Sequence, residues 1–382
     1  MRMRIFQRRH IGLHALLISG SLLLASSACA AIGVDLPSVK SAPEPHTSAD
    51  EIKLAGDYFL GRGVAQDFTQ SAYWYQKAAE AGDPNAQMQI GYLYDAGIGV
   101  AKDSARAAHW YQLASANGLP AAAVNLGILC FWGNGVAIDR QLAMQLFREA
   151  AAKGNGRAAY YLGNLYHEGV SVPQDEAAAE LWYTRGAELN DPQAEYNLGV
   201  LFFDQPDHPH DLRKAAGLLR KSASAGDVPA MFVLGLLLAR HPDRATSDGE
   251  AVALLNAAAG AGYWKSSMIL GVLARDGKGV PMSHRDAYFH FRAAALHGGD
   301  EARSLLGKDL RILAAGLGPA QTAELDAQAE NWQRQHHTVL GFVYKAGENQ
   351  ARFPAYALAM PENGAHAMQM LPAMPDESPQ SN

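Results

Sequence analysis

The chain has 382 residues, 48% of them hydrophobic, and its 38 acidic residues outnumber 32 basic ones, for a formal net charge of −6. This acidic balance, with no Lys/Arg-rich run beyond the N-terminus, argues against nucleic acid as a partner. Of the two cysteines, Cys29 and Cys130, only the second is expected in the mature protein, as a small buried hydrophobe and not half of a disulfide.

Residues 1–30 have the layout of a secretory signal peptide. An uncharged run from Ile11 to Leu24 precedes Ala28-Cys29-Ala30, a cleavage site after Ala30, and basic residues stand before the run at Arg2, Arg4, Arg8 and Arg9. Because the run is shorter than the roughly 20 residues that cross a bilayer, we expect no transmembrane span in the mature protein. The predicted location is periplasmic or secreted. A lipid anchor at Cys29 is the alternative, since a bacterial lipoprotein also has a cysteine after its apolar run.

After a predicted flexible linker over 31–48, glycine recurs every 36 residues. A fixed period of this length is typical of stacked repeat units and predicts seven of them over 49–298. The column consists of Gly91, Gly127, Gly163, Gly199, Gly235, Gly271 and Gly307, with Ala55 at the first position. The column glycine lies where the first helix of a unit should meet the second. A missing side chain there allows close packing, despite about 1 kcal/mol of lost helix propensity.

Each unit is predicted to be a helical hairpin. In the second unit, Asp83 and Pro84 favour a helix start, Gly97-Ile98-Gly99-Val100 interrupts the helix, and Asp103 can begin the next one. The position of Asp103 holds residues that accept hydrogen bonds from free amides at a helix start: Asp67, Asp103, Asp139, Asp175, Asp211, Ser247 and Ser283.

The second unit resembles the Sel1-like repeat family, a relative of tetratricopeptide repeats. The matching residues are Ala86, Ile90-Gly91, Tyr94, Gly97-Ile98-Gly99-Val100, Asp103, Ala107, Trp110 and Ala114. The resemblance implies an all-α fold, a right-handed α-solenoid of stacked helical hairpins, closed by capping helices over 299–340. The loops of units five and six depart from the pattern, so their geometry is not implied.

The resemblance also implies a binding scaffold and not an enzyme, with a protein or peptide partner in envelope complexes such as polysaccharide-export or secretion machinery, or among host proteins. No nucleophile–base–acid order or phosphate-binding glycine loop appears in the chain, and we predict no cofactor and no metal. The alternative is a cell-wall or β-lactam-active, hydrolase-like or peptidoglycan-binding repeat protein, as proposed for cysteine-rich relatives. Those relatives join each repeat with a disulfide, which this chain lacks.

The predicted partner-binding residues follow each column glycine directly and should face the concave side: Tyr92, Ile128, Asn164, Val200, Leu236 and Val272. A second line stands three residues before the same glycines: Met88, Val124, Tyr160, Tyr196, Phe232 and Met268. We interpret the second line as core between helices. The alternative is that parts of both lines form one apolar groove for a peptide or helix, as in tetratricopeptide-like arrays.

Two further regions are polar or irregular. The loops of units five and six carry Asp204, Asp207, His208, His210, His241 and Asp243, which we interpret as variable polar loops, with a Zn²⁺ site as the alternative. Residues 345–382 are predicted to be a disordered Ala/Pro/Met-rich tail. Docking of its apolar segments onto protein is one alternative, and Cu(I) binding by Met360, His366, Met368, Met370 and Met374 is another.

Overall fold

The structure is a computed structural model that describes residues 47–204, 212–245 and 249–336. These residues form α-helices, with one 3₁₀ turn at Pro242–Arg244. In chain order the helices are α1 Ser48–Leu60, α2 Phe68–Glu80, α3 Pro84–Ala96, α4 Ser104–Ala116, α5 Pro120–Trp132, α6 Arg140–Ala152, α7 Gly156–Glu168, α8 Glu176–Glu188, α9 Pro192–Asp204, α10 Leu212–Ser224, α11 Val228–Arg240, α12 Glu250–Gly260, α13 Trp264–Asp276, α14 His284–His297, α15 Gly299–Leu317 and α16 Pro319–Gln335.

Consecutive helices pair as hairpins, and each hairpin packs on the one before it. The predicted all-α solenoid of stacked helical hairpins is confirmed. Odd-numbered helices of neighbouring units contact one another; α7 contacts α9, and α9 contacts α11. Even-numbered helices pack mainly on odd-numbered ones. The odd-numbered helices therefore form the inner layer of the solenoid.

The predicted helix caps are confirmed wherever the structure describes them. The side chains of five capping residues accept hydrogen bonds from backbone amides in the first turn of α2, α4, α6, α8 and α14: Asp67, Asp103, Asp139, Asp175 and Ser283. Asp211 and Ser247, the other members of the column, lie outside the described residues. These caps satisfy amides that lack a partner within the helix.

The glycine column also has its predicted role. In six units a Cβ on the column glycine would lie within 3 Å of the residue 20 positions later on the paired helix. The pairs are Gly91–Tyr111, Gly127–Phe147, Gly163–Tyr183, Gly199–Leu219, Gly235–Leu255 and Gly271–Phe291. Gly307 has no such partner, because only the Arg311 guanidinium lies nearby, at 3.6 Å.

A second glycine holds adjacent units together. Gly99 and Gly135 have φ values of 70° in the loop between the two helices of a unit, and a Cβ on either would overlap the backbone at the start of the preceding even-numbered helix. Gly135 lies directly against Ser104 and Ala105. The loop of one unit therefore rests on the helix start of the unit before it.

The sixth unit departs from this regularity. The period places the start of its second helix at 248, but α12 begins at Glu250, and Gly249 supplies no side-chain cap. Gly279, in the loop of the next unit, keeps a φ of 70°, and no atom of the described residues lies within 4 Å of a Cβ placed on it. Asp248, the counterpart of Ser104 at this junction, lies outside the described part.

Helix α16 closes the array by packing on α14. Asp326 accepts hydrogen bonds from Arg292 Nε at 2.8 Å and from the Tyr288 hydroxyl at 3.0 Å, and Gln333 donates to the carbonyl of Leu296 at 3.1 Å. Cys130 is 4% exposed, so its side chain is buried as the sequence predicted, and it is a free thiol among the described residues.

Ser266 is a buried polar residue in a core column that otherwise holds alanine. Its hydroxyl has no hydrogen-bond partner and its side chain is fully buried, whereas the same position is Ala194 in unit five and Ala230 in unit six. We expect Ser266→Ala to raise the free energy of unfolding by about 1 kcal/mol, because it removes the desolvation cost of the hydroxyl. Urea denaturation followed by circular dichroism measures this change. The reverse change, Ala230→Ser, should lower stability by a similar amount, and a loss of stability in Ser266→Ala would contradict the argument.

Candidate functional site

The six residues of the predicted partner-binding line differ in exposure. Ile128, Asn164 and Leu236 are buried, with exposed fractions of 6%, 7% and 4%. Tyr92 and Val200 are half-buried, as is Val272. The structure thus leaves three of the six positions partly open to a partner, and their role in binding stays a prediction.

The second line is mostly core. Met88, Val124, Phe232 and Met268 are buried in the hydrophobic clusters between helices, which supports their interpretation as packing residues. Tyr160 and Tyr196 are half-buried and are the two members that reach solvent.

Asn164 joins three helices through its side-chain amide. Its Oδ1 accepts hydrogen bonds from the Tyr183 hydroxyl at 2.7 Å and from Asn197 Nδ2 at 2.9 Å. The amide is also hydrogen-bonded to the Tyr160 hydroxyl, and burial raises the pKa of Tyr160 to about 12. Asn164 is therefore a structural link between α7, α8 and α9, a role that its position in the repeat did not reveal.

A row of aromatic rings continues from Tyr160 across the inner layer. Tyr196 on α9 and Tyr263 at the start of α13 are both half-buried, and the rings of Phe232 and Tyr263 lie 5.0 Å apart. Burial raises the pKa values of Tyr196 and Tyr263, and the nearby Asp227 carboxylate adds to the effect. Both phenols are neutral at physiological pH and can donate hydrogen bonds.

Asp227 is a half-buried residue whose carboxyl lies beside this row. It accepts hydrogen bonds from the backbone amide of Ala230 at 3.2 Å, from Ser222 at 3.1 Å and from Gln193 at 3.3 Å. Burial nevertheless raises its pKa to about 6, since these donors offset only part of the lost hydration. The carboxyl thus changes charge near neutral pH. From the sequence alone, Asp227 is recognisable only as a helix-capping residue.

We expect Asp227 to make the fold less stable as the pH rises from about 4 to 7. The folded-state pKa of about 6 exceeds the ordinary value of 3.8, so in this window the folded chain binds more protons than the unfolded chain. The free energy of unfolding should fall by about 2 kcal/mol through this one group. Urea denaturation at several pH values measures the slope.

The matched control is Asp227→Asn, which keeps the helix cap but cannot ionise. His290 acts in the opposite direction, because burial lowers its pKa to about 4 and its protonation destabilises the fold as the pH falls. Subtracting the Asp227→Asn curve from that of the wild type isolates the carboxyl. A difference that does not change between pH 4 and 7 would show that Asp227 keeps an ordinary pKa.

The middle of each inner helix from α3 to α13 is uncharged. From α3 to α13, the stretches without Asp, Glu, Lys or Arg are 84–94, 120–132, 158–166, 196–203, 228–239 and 266–274. Charged residues stand at the helix ends, as Asp95 and Arg275 do. We call these six stretches the inner belt; their side chains are apolar or polar, and none is an Asp, Glu, Lys or Arg.

The regions considered for metal binding are only partly described. Among the described residues no group of three His, Cys, Asp or Glu side chains is placed to hold a metal ion. His241 precedes the 3₁₀ turn and Asp243 lies within it, while the side chain of Asp204 and residues Asp207, His208 and His210 lie outside the described part. The leader with Cys29, the linker and the tail with its methionines and His366 also lie outside it.

No helix in the described part is long and apolar enough to cross a membrane.

Comparison with known families identifies the repeat. The model of the Sel1 repeat matches residues 51–83, 84–119, 120–155, 156–191, 192–227 and 266–299. The chain belongs to the Sel1 repeat family. The unmatched interval between 227 and 266 contains α11 and α12, the hairpin whose second helix starts late.

A solved structure of a Sel1 repeat protein shares the fold, and two further solved structures are similar over part of the chain. A Sel1 repeat protein from Oxalobacter formigenes is 26% identical over 64% of this chain and 99% of its own length, with a TM-score of 0.56. A protective antigen of uropathogenic Escherichia coli with an SLR fold is 25% identical over 79% of this chain and 74% of its own, at a TM-score of 0.48. An immunity protein from Pseudomonas aeruginosa is 21% identical over 51% of this chain and 72% of its own length, with a TM-score of 0.39. No curated protein matches the chain.

Sel1 repeats are typical of scaffolds for protein–protein interaction, and their proteins are generally non-catalytic. Neither the family match nor the structural neighbours support a wall-active or β-lactam-active protein.

Proposed function

We propose that this Sel1 repeat protein is an exported, non-catalytic scaffold of the bacterial cell envelope that binds a protein partner along its concave face. The inner belt is the observation that carries the proposal. An uncharged surface with half-buried Tyr92, Val200 and Val272 can bury apolar groups of a partner without desolvating charges. The stacked hairpins hold this surface in place before a partner arrives, which lowers the entropic cost of binding.

Charged substitutions on the inner belt test the binding face. In the full chain, Tyr92→Glu, Val200→Glu and Val272→Glu together should reduce capture of cross-linked partners at least tenfold. The matched control is Tyr73→Glu with Leu181→Glu, because these side chains are 55% and 68% exposed on even-numbered helices. Circular dichroism checks that both variants stay helical, and mass spectrometry identifies the captured proteins. Equal capture by the inner and outer variants would refute the concave face as the binding surface.

Export is tested separately. The arginines and the apolar run before Ala31 support cleavage after Ala30. N-terminal sequencing of protein from the periplasmic fraction should begin at Ala31. A chain that begins at a lipid-modified Cys29 would identify a lipoprotein, and an intact leader in the cytoplasm would contradict export.

A further inference from the structure

Two phenols lie at the inner layer of α9 and α13: Tyr196 belongs to the inner belt, and Tyr263 is the residue just before α13. The hydroxyls of Tyr196 and Tyr263 have no hydrogen-bond partner among the described residues, although both side chains are half-buried and uncharged. Val200 and Val272 lie half-buried on the same helices. A ligand suited to this surface therefore carries apolar side chains and hydrogen-bond acceptors but no charge.

The chain itself contains a segment with this chemistry. Forty-six residues follow His336, and among them Phe353–Pro361, with the sequence FPAYALAMP, is free of charged residues and lies between Arg352 and Glu362. Phe353, Tyr356 and Leu358 are its large apolar side chains. Its backbone carbonyls can accept hydrogen bonds from phenol hydroxyls.

The segment can reach the belt. His336 lies beside Gly260 at the end of α12, where its Cδ2 would be 3.7 Å from a Cβ placed on the glycine. Sixteen residues lie between His336 and Phe353, so the seventeen steps along the chain allow a span of up to about 55 Å at roughly 3.3 Å per residue. Nine extended residues cover about 30 Å, the width of three helices packed 8–10 Å apart.

We propose that Phe353–Pro361 occupies the inner belt over α9, α11 and α13 of its own chain and competes there with the partner. This inference rests on the proposed function, since it assigns an internal competitor to the same face. A short tether gives a millimolar effective concentration, so a weak contact is sufficient to cover the belt when no partner is present. An external partner must then displace the segment, which makes capture depend on the tail.

The test measures access to the belt in the purified full chain. Val200→Cys places a thiol on α9, and its reaction rate with N-ethylmaleimide is read at that position by peptide mass spectrometry, so that the buried Cys130 does not interfere. The tail variant combines Phe353→Asp, Tyr356→Asp and Leu358→Asp. The matched control combines Met368→Asp, Met370→Asp and Met374→Asp, which adds the same charge outside the segment.

We expect the tail variant to label at least fivefold faster than either the parent or the matched control. A Leu181→Cys reporter, on the exposed side of α8, should label at the same rate in all three backgrounds. Equal rates at position 200 overturn the proposal, as does protection that increases with protein concentration, which would identify a second copy as the occupant. Because no partner is added, this result is independent of the capture experiment: tail protection without capture would leave the inference standing and remove the proposed function.

Discussion

Gly135→Ala should lower the free energy of unfolding by about 2–5 kcal/mol. A Cβ at this position would lie 2.2 Å from the Ser104 carbonyl carbon and 2.3 Å from the Ala105 nitrogen, and backbone atoms cannot rotate away. The substitution also places alanine at a φ of 70°, which costs roughly 1–2 kcal/mol by itself. The remaining loss comes from moving the loop away from α4, with typical overpacking costs of about 1–3 kcal/mol.

Gly279→Ala separates these two contributions. Gly279 has the same φ of 70° in the equivalent loop, and among the described residues no atom lies within 4 Å of the added methyl group. Its cost should therefore be only the conformational one, about 1–2 kcal/mol. Urea denaturation of both variants provides the comparison. Equal losses would mean that the loop of one unit does not rest on the helix of the unit before it.

Gly271→Ala should destabilise the array by about 2–3 kcal/mol. The added methyl group would lie 2.5 Å from the Phe291 ring, so α13 and α14 must separate or the ring must leave its rotamer. This cost exceeds the gain of up to about 1 kcal/mol in helix propensity. Gly307→Ala, 36 residues later in the same column, meets only the flexible Arg311 side chain and should stabilise by about 0.5–1 kcal/mol.

A double-mutant cycle tests the contact behind this difference. Units five and six pair their glycine with Leu219 or Leu255, so Phe291→Leu offers a smaller partner that the repeat already uses. Gly271→Ala should cost less in the Phe291→Leu background, with a coupling of about 1 kcal/mol. Additive effects would show that the glycine is required for another reason.

The repeat register predicted most of the fold because its signals are local. An Asp or Ser before a helix accepts hydrogen bonds from the next few amides, and Asp103 does this whatever the neighbouring units are. The glycine column was equally readable, since Gly163 and Tyr183 belong to one hairpin and their pairing recurs at a separation of 20 residues.

The candidate site could be predicted only in part. The period placed Tyr92 and Asn164 at the same register position, but Tyr92 is half-buried whereas Asn164 is enclosed by Tyr183 and Asn197. Tyr183 belongs to the same hairpin as Asn164, whereas Asn197 comes from the next unit. Repeat position specifies the direction of a side chain within its own unit and not the distance to the next one.

The sequence alone therefore determined the repeat period, the helical hairpin, its caps and the close contact within each hairpin, because all of these depend on residues within 36 positions of one another. The tertiary structure decided which inner residues stay accessible and how strongly Asp227 holds its proton. The physical reason is that both properties depend on how closely neighbouring units stack, and the glycine period does not specify that distance.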